Sequence, residues 1–229
     1  MKTTALATLA LLLLFTACTS PNANDEAAQR EPMAFEANTL PRQVAAAYGF
    51  PNIYTVDTVS FTFNVERGGN STKRTHAYLP QENIAIYNGR FVVDLANYKS
   101  DTTDLRPAQA FVNDSYWFMF PFQLVWDEGN YTYTDSVKTA PISGRELRQL
   151  SIVYNDTDGF TPGDAYDLYL DDKFNVVEWR FRKGNSYDLS RSMATTWERP
   201  IESHGMTFST MHQDSSEYLK IFFTEVEVR

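Results

Sequence analysis

The sequence has little of what metal proteins and the common hydrolases are built from. It holds one cysteine, Cys18, and three histidines, so neither an intrachain disulfide nor a Cys-based metal site can form. No Gly-x-Ser-x-Gly elbow, His-Glu-x-x-His pair or glycine-rich phosphate loop is present. Basic runs are missing too, with 20 Lys+Arg against 29 Asp+Glu and a net charge of −9. Nucleic acid is thereby excluded as a partner, because displacing counterions from a phosphate backbone needs clustered Lys and Arg. A polybasic membrane patch is excluded for the same reason. What is there is a chain of 229 residues, 43% hydrophobic and 14% aromatic, suited to a domain held together by an apolar core.

The N-terminus bears on location. An apolar run from Ala5 to Phe15 follows Lys2 and ends at Thr16-Ala17-Cys18. It is too short to cross a hydrocarbon layer of ~30 Å and has the shape of a secretory signal. Leu14-Phe15-Thr16-Ala17-Cys18 resembles a bacterial lipobox, where small residues precede a cysteine that is acylated and becomes the new N-terminus. The resemblance implies a signal peptide over 1–17, lipidation of Cys18 and attachment to the cell envelope. More than one acyl chain makes such attachment lasting, each buried CH₂ contributing ~0.8 kcal/mol. Thr19 is unlike the Asp of inner-membrane retention signals, and by that resemblance the outer membrane is expected. From Cys18 to Phe35 the chain is rich in Asn, Ala, Asp, Glu, Gln and Pro and reads as a flexible tether. A single β-rich domain is expected over 36–229.

That domain should open with a helix capped by Asn38 or Thr39, with Pro41 in its first turn and a stop at Gly49. The period then changes to two. Val59, Phe61, Phe63 and Val65 alternate with polar residues, as a half-buried strand requires. Arg67-Gly68-Gly69-Asn70 reads as a turn into a strand over 75–79. Asn88-Gly89 suits a type I′ turn that would pair Ile86 with Phe91 and Ile84 with Val93. Further strands are expected over 147–154, 165–170, 174–182, 195–202, 206–212 and 218–228. With no βαβ alternation, they should form an antiparallel meander with the helices on one side. In the last strand the apolar phase switches between Phe223 and Val226, which predicts a bulge or a sheet covered on both faces.

The densest aromatic stretch lies between the two strand series. Phe111, Tyr116, Trp117, Phe118, Phe120, Phe122 and Trp126 follow a helix start at Thr103 or Asp104 with Pro107, and Pro121 should kink the helix. These residues point in all directions around a helix axis, so the segment must be surrounded. It either lines an apolar cavity inside a curved sheet or is plain core.

The lipobox, the helix ending Ala-Ala-Tyr-Gly, the antiparallel meander and the segment Trp117-Phe118-Met119-Phe120-Pro121-Phe122 resemble uncharacterised bacterial envelope lipoproteins related to the LolA/LolB superfamily. The stretch from Thr161 to Tyr169 is similar to the same group. The resemblance implies an α+β fold, a large curved antiparallel sheet forming an unclosed half-barrel around one or two helices, with a hollow able to hold acyl chains. It carries over no functional residue.

Candidate chemistry is sparse. His204 and His212, on one strand, would stand roughly 26 Å apart and cannot share an ion. An isolated His76 reads as a partly buried, hydrogen-bonded imidazole. Asn155-Asp156-Thr157-Asp158-Gly159 looks like a calcium loop but puts Tyr154 and Ala165 where carboxylates belong. If Asp172-Lys173 forms a two-residue turn, Asp167 falls opposite Glu178 on one face. Two acids about 5 Å apart suit a retaining glycoside hydrolase. Arg180 and Arg182 beside them make a solvated, charge-compensated surface the preferred reading.

The sequence is therefore read as a non-enzymatic, lipid-anchored envelope protein that binds or carries a hydrophobic molecule, a lipid or acyl chain. The wall candidates are Phe61, Phe63, Trp117, Phe118, Phe120, Phe122, Trp126 and Trp179, with no catalytic residue, metal or cofactor. The alternatives are a complex-forming lipoprotein with a filled core and a protein partner, and an envelope hydrolase using Asp167 and Glu178.

Overall fold

The computed structural model of the chain describes residues 30–98, 105–156 and 161–229. The signal segment, the lipobox, Thr103 and Asp104 lie outside them. Arg30, the first described residue, pairs with Asp57 at 2.6 Å, and the ring centroid of Phe35 is 5.3 Å from that of Phe50.

Helix α1 (Leu40–Ala47) starts where its capping residue puts it. Thr39 is extended and its hydroxyl accepts the Arg42 N–H at 3.4 Å, while Pro41 occupies the first turn, where no N–H is needed. Leu40, Val44 and Ala45 form the buried stripe. The helix ends at Gly49, whose φ is 77° and whose missing side chain matters twice over: a Cβ there would lie 1.9 Å from the Gly205 carbonyl oxygen. A short 3-10 helix, Phe50–Thr55, leads into the sheets.

Among the described residues twelve strands follow, every pair antiparallel. They are β1 (Val59–Arg67), β2 (Asn70–Leu79), β3 (Ile84–Tyr87), β4 (Phe91–Asp94), β5 (Tyr131–Thr139), β6 (Glu146–Tyr154), β7 (Ala165–Leu170), β8 (Val176–Arg182), β9 (Ser192–Thr196), β10 (Glu198–Ser203), β11 (Met206–Gln213) and β12 (Leu219–Val228). Seven form one sheet in the order β10-β11-β12-β1-β2-β3-β4, and five form a second in sequence order from β5 to β9. The fold is α+β: an unclosed antiparallel wall around a central helix, its wall divided in two. The expected strand over 195–202 is where it divides. Trp197 still donates its N–H to Val177 at 2.9 Å, but from Glu198 the chain pairs with β11. Across the seam the Gln213 N–H bonds the Thr196 hydroxyl at 3.1 Å.

Three local findings differ from the sequence expectations. The β3–β4 turn has three residues, so Tyr87 pairs with Phe91 and Ala85 with Val93, one position off the type I′ register. Asn88 is the reason: it stays bound to β2, its N–H on the Thr75 carbonyl at 2.7 Å and its side-chain oxygen on the Thr75 N–H at 3.0 Å. One residue of slip exchanges the faces, and Ala85 and Val93 become the buried pair. Strand β5 was not expected at all, because most of its side chains are exposed on both faces and no apolar alternation marks it. The phase switch in β12 is a bulge: the register shifts between Ser60 and Thr62, and Glu225 takes a φ of 53°.

Helix α2 (Leu105–Trp126) runs between the sheets and is two helical segments joined at Met119, with φ −141° and ψ 39°. Pro121 explains the break, since it supplies no N–H to the Trp117 carbonyl four residues earlier. Beyond the first turn nearly every side chain to Leu124 is buried, whichever way it points. Among the described residues no helix is long and apolar enough to cross a membrane.

Candidate functional site

Two cavities flank the first half of α2. The larger, about 1010 Å³, opens between β2–β4 on one side and β7–β9 on the other. Alternation in β7 and β8 turns Tyr166, Trp179 and Phe181 inward, with Leu168 opposite Trp179 and Tyr166 opposite Phe181. Helix α2 adds Val112, Tyr116 and Trp117, and β4 and β9 contribute Phe91 and Met193. Arg74, Arg106, Asn113 and Asp164 are among the polar groups of the wall. A volume of this size is at the upper end of the ~300–1,000 Å³ usual for ligand pockets.

Of the sequence-predicted wall, Trp117 and Trp179 line this cavity, their ring centroids 4.7 Å apart. Trp126 lines the second one. The other candidates sit behind the wall. Phe118 stacks on Phe208 at 4.7 Å and 5° and touches the Phe61 and Phe223 rings at 4.5 and 4.7 Å. Phe63 packs on Phe223, Phe122 on Phe50 and Phe208, and Phe120 between Tyr166 and Trp179. The aromatic segment thus divides into core and lining by side-chain direction about α2, which the kink at Met119 resets.

Beside the larger cavity is a charged cluster that sequence reasoning missed. Asp114, fully buried, accepts Arg74 Nε at 2.8 Å and Nη2 at 2.6 Å, His76 Nε2 at 2.7 Å and Asn113 Nδ2 at 2.9 Å. One signal was available: Asp114 is the single acid between Phe111 and Trp126, and an acid inside an apolar segment needs a partner. His76 is hydrogen-bonded as expected but fully rather than partly buried, ringed by Phe61, Tyr87 and Phe111.

The second cavity, about 560 Å³, lies on the other side of Tyr116 and is lined by Tyr54, Tyr78, Tyr154, Trp126 and Asp127 among others. The Tyr116 and Tyr154 hydroxyls both donate to Asp127 Oδ2, at 2.9 and 2.7 Å. Burial pushes the Asp127 carboxyl above the usual carboxylate range, against the pull of those two hydroxyls. Burial likewise raises Tyr116 and Tyr154, and the nearby Asp127 charge adds to both shifts.

The carboxylate-pair register is corrected. Asp167 pairs with Arg180 and Glu178 with Tyr169, because the turn is longer than two residues: Asp171 wraps it, accepting the Lys173 and Asn175 N–H groups at 2.9 and 2.8 Å, with Phe174 at φ 65°. Both acids are engaged and buried rather than solvated. Asp167 forms a two-bond fork with Arg182 at 2.8 and 3.0 Å and accepts the Ser151 hydroxyl at 2.7 Å. Glu178 accepts the Ile142 and Ser143 N–H groups at 2.7 and 3.0 Å. Arg182 is covered by the Tyr187 ring, 4.5 Å away.

His204 occupies the β10–β11 turn with φ 51°, whereas His212 is fully buried between Trp117 and Trp197. Burial lowers the His212 pKa to about 3, opposed by the Thr196 and Trp117 carbonyls. Among the described residues no group of His, Cys, Asp and Glu could hold a metal ion. Of the calcium-like loop, residues 157–160 lie outside the described residues.

No known family model matches the chain, and no curated protein sequence matches it. Its fold is similar to that of a putative outer membrane lipoprotein-sorting protein domain from Vibrio parahaemolyticus, with TM-score 0.46, 9% identity, and coverage of 83% of this chain and 91% of that one. It is also similar to a LolA superfamily protein from Nitrosomonas europaea, with TM-score 0.46, 10% identity, and coverage of 82% and 93%. A DUF1329 family protein from Desulfovibrio piger gives TM-score 0.43, 9% identity, and coverage of 82% and 92%.

Proposed function

We propose that the protein is a non-enzymatic carrier or receptor for a hydrophobic ligand, an acyl chain or lipid, held in the larger cavity. The observation that carries this reading is the cavity itself, about 1010 Å³ and bordered by Trp117, Tyr166, Trp179, Phe181, Phe91 and Met193. Burial of apolar ligand surface, about 25 cal/mol per Å² before entropy costs, supplies the affinity. Arg106 on the same wall fixes the orientation of a polar end. The lipobox motif supports attachment through Cys18 to the bacterial envelope, at the outer membrane, with 36–229 as the ligand-binding unit.

The test is native mass spectrometry of the purified protein, followed by organic extraction and lipid analysis. A lipid at near-equal stoichiometry supports the reading and gives the cargo class. A ligand-free protein that also fails to take up a fluorescent fatty acid overturns it, and weight moves to a lipoprotein that binds a protein partner.

A further inference from the structure

We propose that the second cavity is a site for an organic ammonium group, with Asp127 as its counter-ion and Trp126, Tyr54 and Tyr78 as its aromatic walls.

The Asp127 carboxylate is bonded on one side only among the described residues. Both tyrosine hydroxyls that reach Asp127 bind the same oxygen, Oδ2, and Oδ1 accepts no hydrogen bond from the described residues. Among the described residues Asp127 also has no cation partner. Among the described residues no Lys, Arg or His lines the cavity, and the arginines near its margins are taken: Arg42 holds Glu128 through three bonds of 2.9 to 3.2 Å, and Arg30 holds Asp57 at 2.6 Å and the side-chain oxygen of Gln81. Asp127 is half-buried and lines the cavity, and a carboxylate partly withdrawn from water gains from a cation brought beside it.

The walls specify what supplies it. Trp126 is fixed by its indole N–H, which donates to the Tyr54 hydroxyl at 3.0 Å, and its ring meets Tyr78 edge-on at 5.6 Å. Aromatic faces around a carboxylate attract a cation through the ring quadrupole and the full charge together. The amides of Asn83, Gln123 and Asn130 are the other polar side chains on the wall, while the Gln81 oxygen is taken by Arg30. An anion would be placed against the Asp127 carboxylate. A neutral sugar could use the rings and amides but would leave the Asp127 charge unanswered.

The ammonium can come from two sources. Val112, Tyr116 and Thr161 line both cavities, so the group can be the head of an amphiphile whose chain occupies the larger one, or it can be a free amine. The assignment stands whether or not the larger cavity holds a lipid.

The experiment is titration calorimetry on the full chain in a non-ionic detergent, comparing choline with its uncharged isostere in which carbon replaces nitrogen. The expected result is choline binding in the millimolar range or tighter, the isostere weaker by about tenfold or more. In Asp127→Asn that preference should vanish, and in Trp126→Leu choline should weaken. Equal binding of choline and isostere, no choline binding, or a preference that survives Asp127→Asn overturns the proposal. If Asp127→Asn fails to fold, the comparison on the unaltered protein still decides. A lysophospholipid with a choline head that binds much tighter than both choline and glycerophosphocholine places the site on a lipid headgroup. Equal binding of all three supports a free amine.

Discussion

His76 Nε2 and Asp114 Oδ2 stand 2.7 Å apart with neither side chain exposed, joining β2 to the middle of α2 beside the larger cavity. The same carboxylate takes the Arg74 fork, so one acid ties the central helix to two side chains of the sheet. Removing the acid strands both partners. Asp114→Ala should cost about 3–5 kcal/mol in denaturant unfolding, whereas Asp57→Ala, which breaks the exposed pair with Arg30, should cost at most about 1 kcal/mol. Similar losses in the two variants would show that the buried cluster is not a keystone.

Core and lining can be separated by substitution. Phe118 is enclosed by Phe61, Phe208 and Phe223. Phe118→Ala should therefore destabilise by about 3–5 kcal/mol, and Phe118→Leu by far less, leaving fatty-acid uptake unchanged. Trp117→Ala, on the cavity wall, should alter uptake. Uptake that follows Phe118→Leu and ignores Trp117→Ala would place the ligand elsewhere.

His212 predicts acid sensitivity. Its folded pKa, lowered to about 3, lies below the unfolded value of 6.5, so the unfolded chain takes up the proton first. The stability this group contributes is complete above about pH 6.5 and falls as the pH drops toward about 3, at about 1.4 kcal/mol per pH unit. Unfolding curves across that window should lose this slope in His212→Phe if the protein folds. An unchanged slope in that variant would assign the acid transition to other groups.

Asp127 predicts the opposite direction. Its folded pKa is raised by burial, so its contribution is present below the unfolded value and is lost as the pH rises through the folded one. Asp127→Asn should therefore melt at a higher temperature than the native chain at neutral pH, and the difference should close in acid. A variant that is less stable at neutral pH would mean that the carboxylate has compensation the geometry does not reveal.

Gly49→Ala tests the close approach of α1 to the β10–β11 turn. Both the φ of 77° and the Gly205 carbonyl oppose a side chain there, and a loss of at least about 1–3 kcal/mol is expected. A neutral effect would show that the turn yields.

The readable parts of the sequence were those where local physics acts alone. Thr39, Pro41 and Gly49 bound α1 by capping and φ, and Val59 to Val65 declare β1 by alternation. The apolar phase switch in β12 announces its bulge before any partner is known. Strand β5 was not legible because its side chains face solvent on both sides, and the β3–β4 register was lost because Asn88 answers to Thr75, a residue of another strand. Trp117, Trp126 and Trp179 line cavities, while five of the eight wall candidates became core.

By itself, the amino-acid sequence determined an aromatic, acidic, antiparallel α+β chain with a kinked central helix, because composition, period and proline chemistry are local properties. Tertiary structure alone decided which aromatics close the core and which face a cavity, since apolar burial has no direction of its own. It also decided that Asp114 is answered four times while, among the described residues, both bonds to the Asp127 carboxylate fall on Oδ2. A charge finds its partners through distances across the fold, and no spacing along the chain records them.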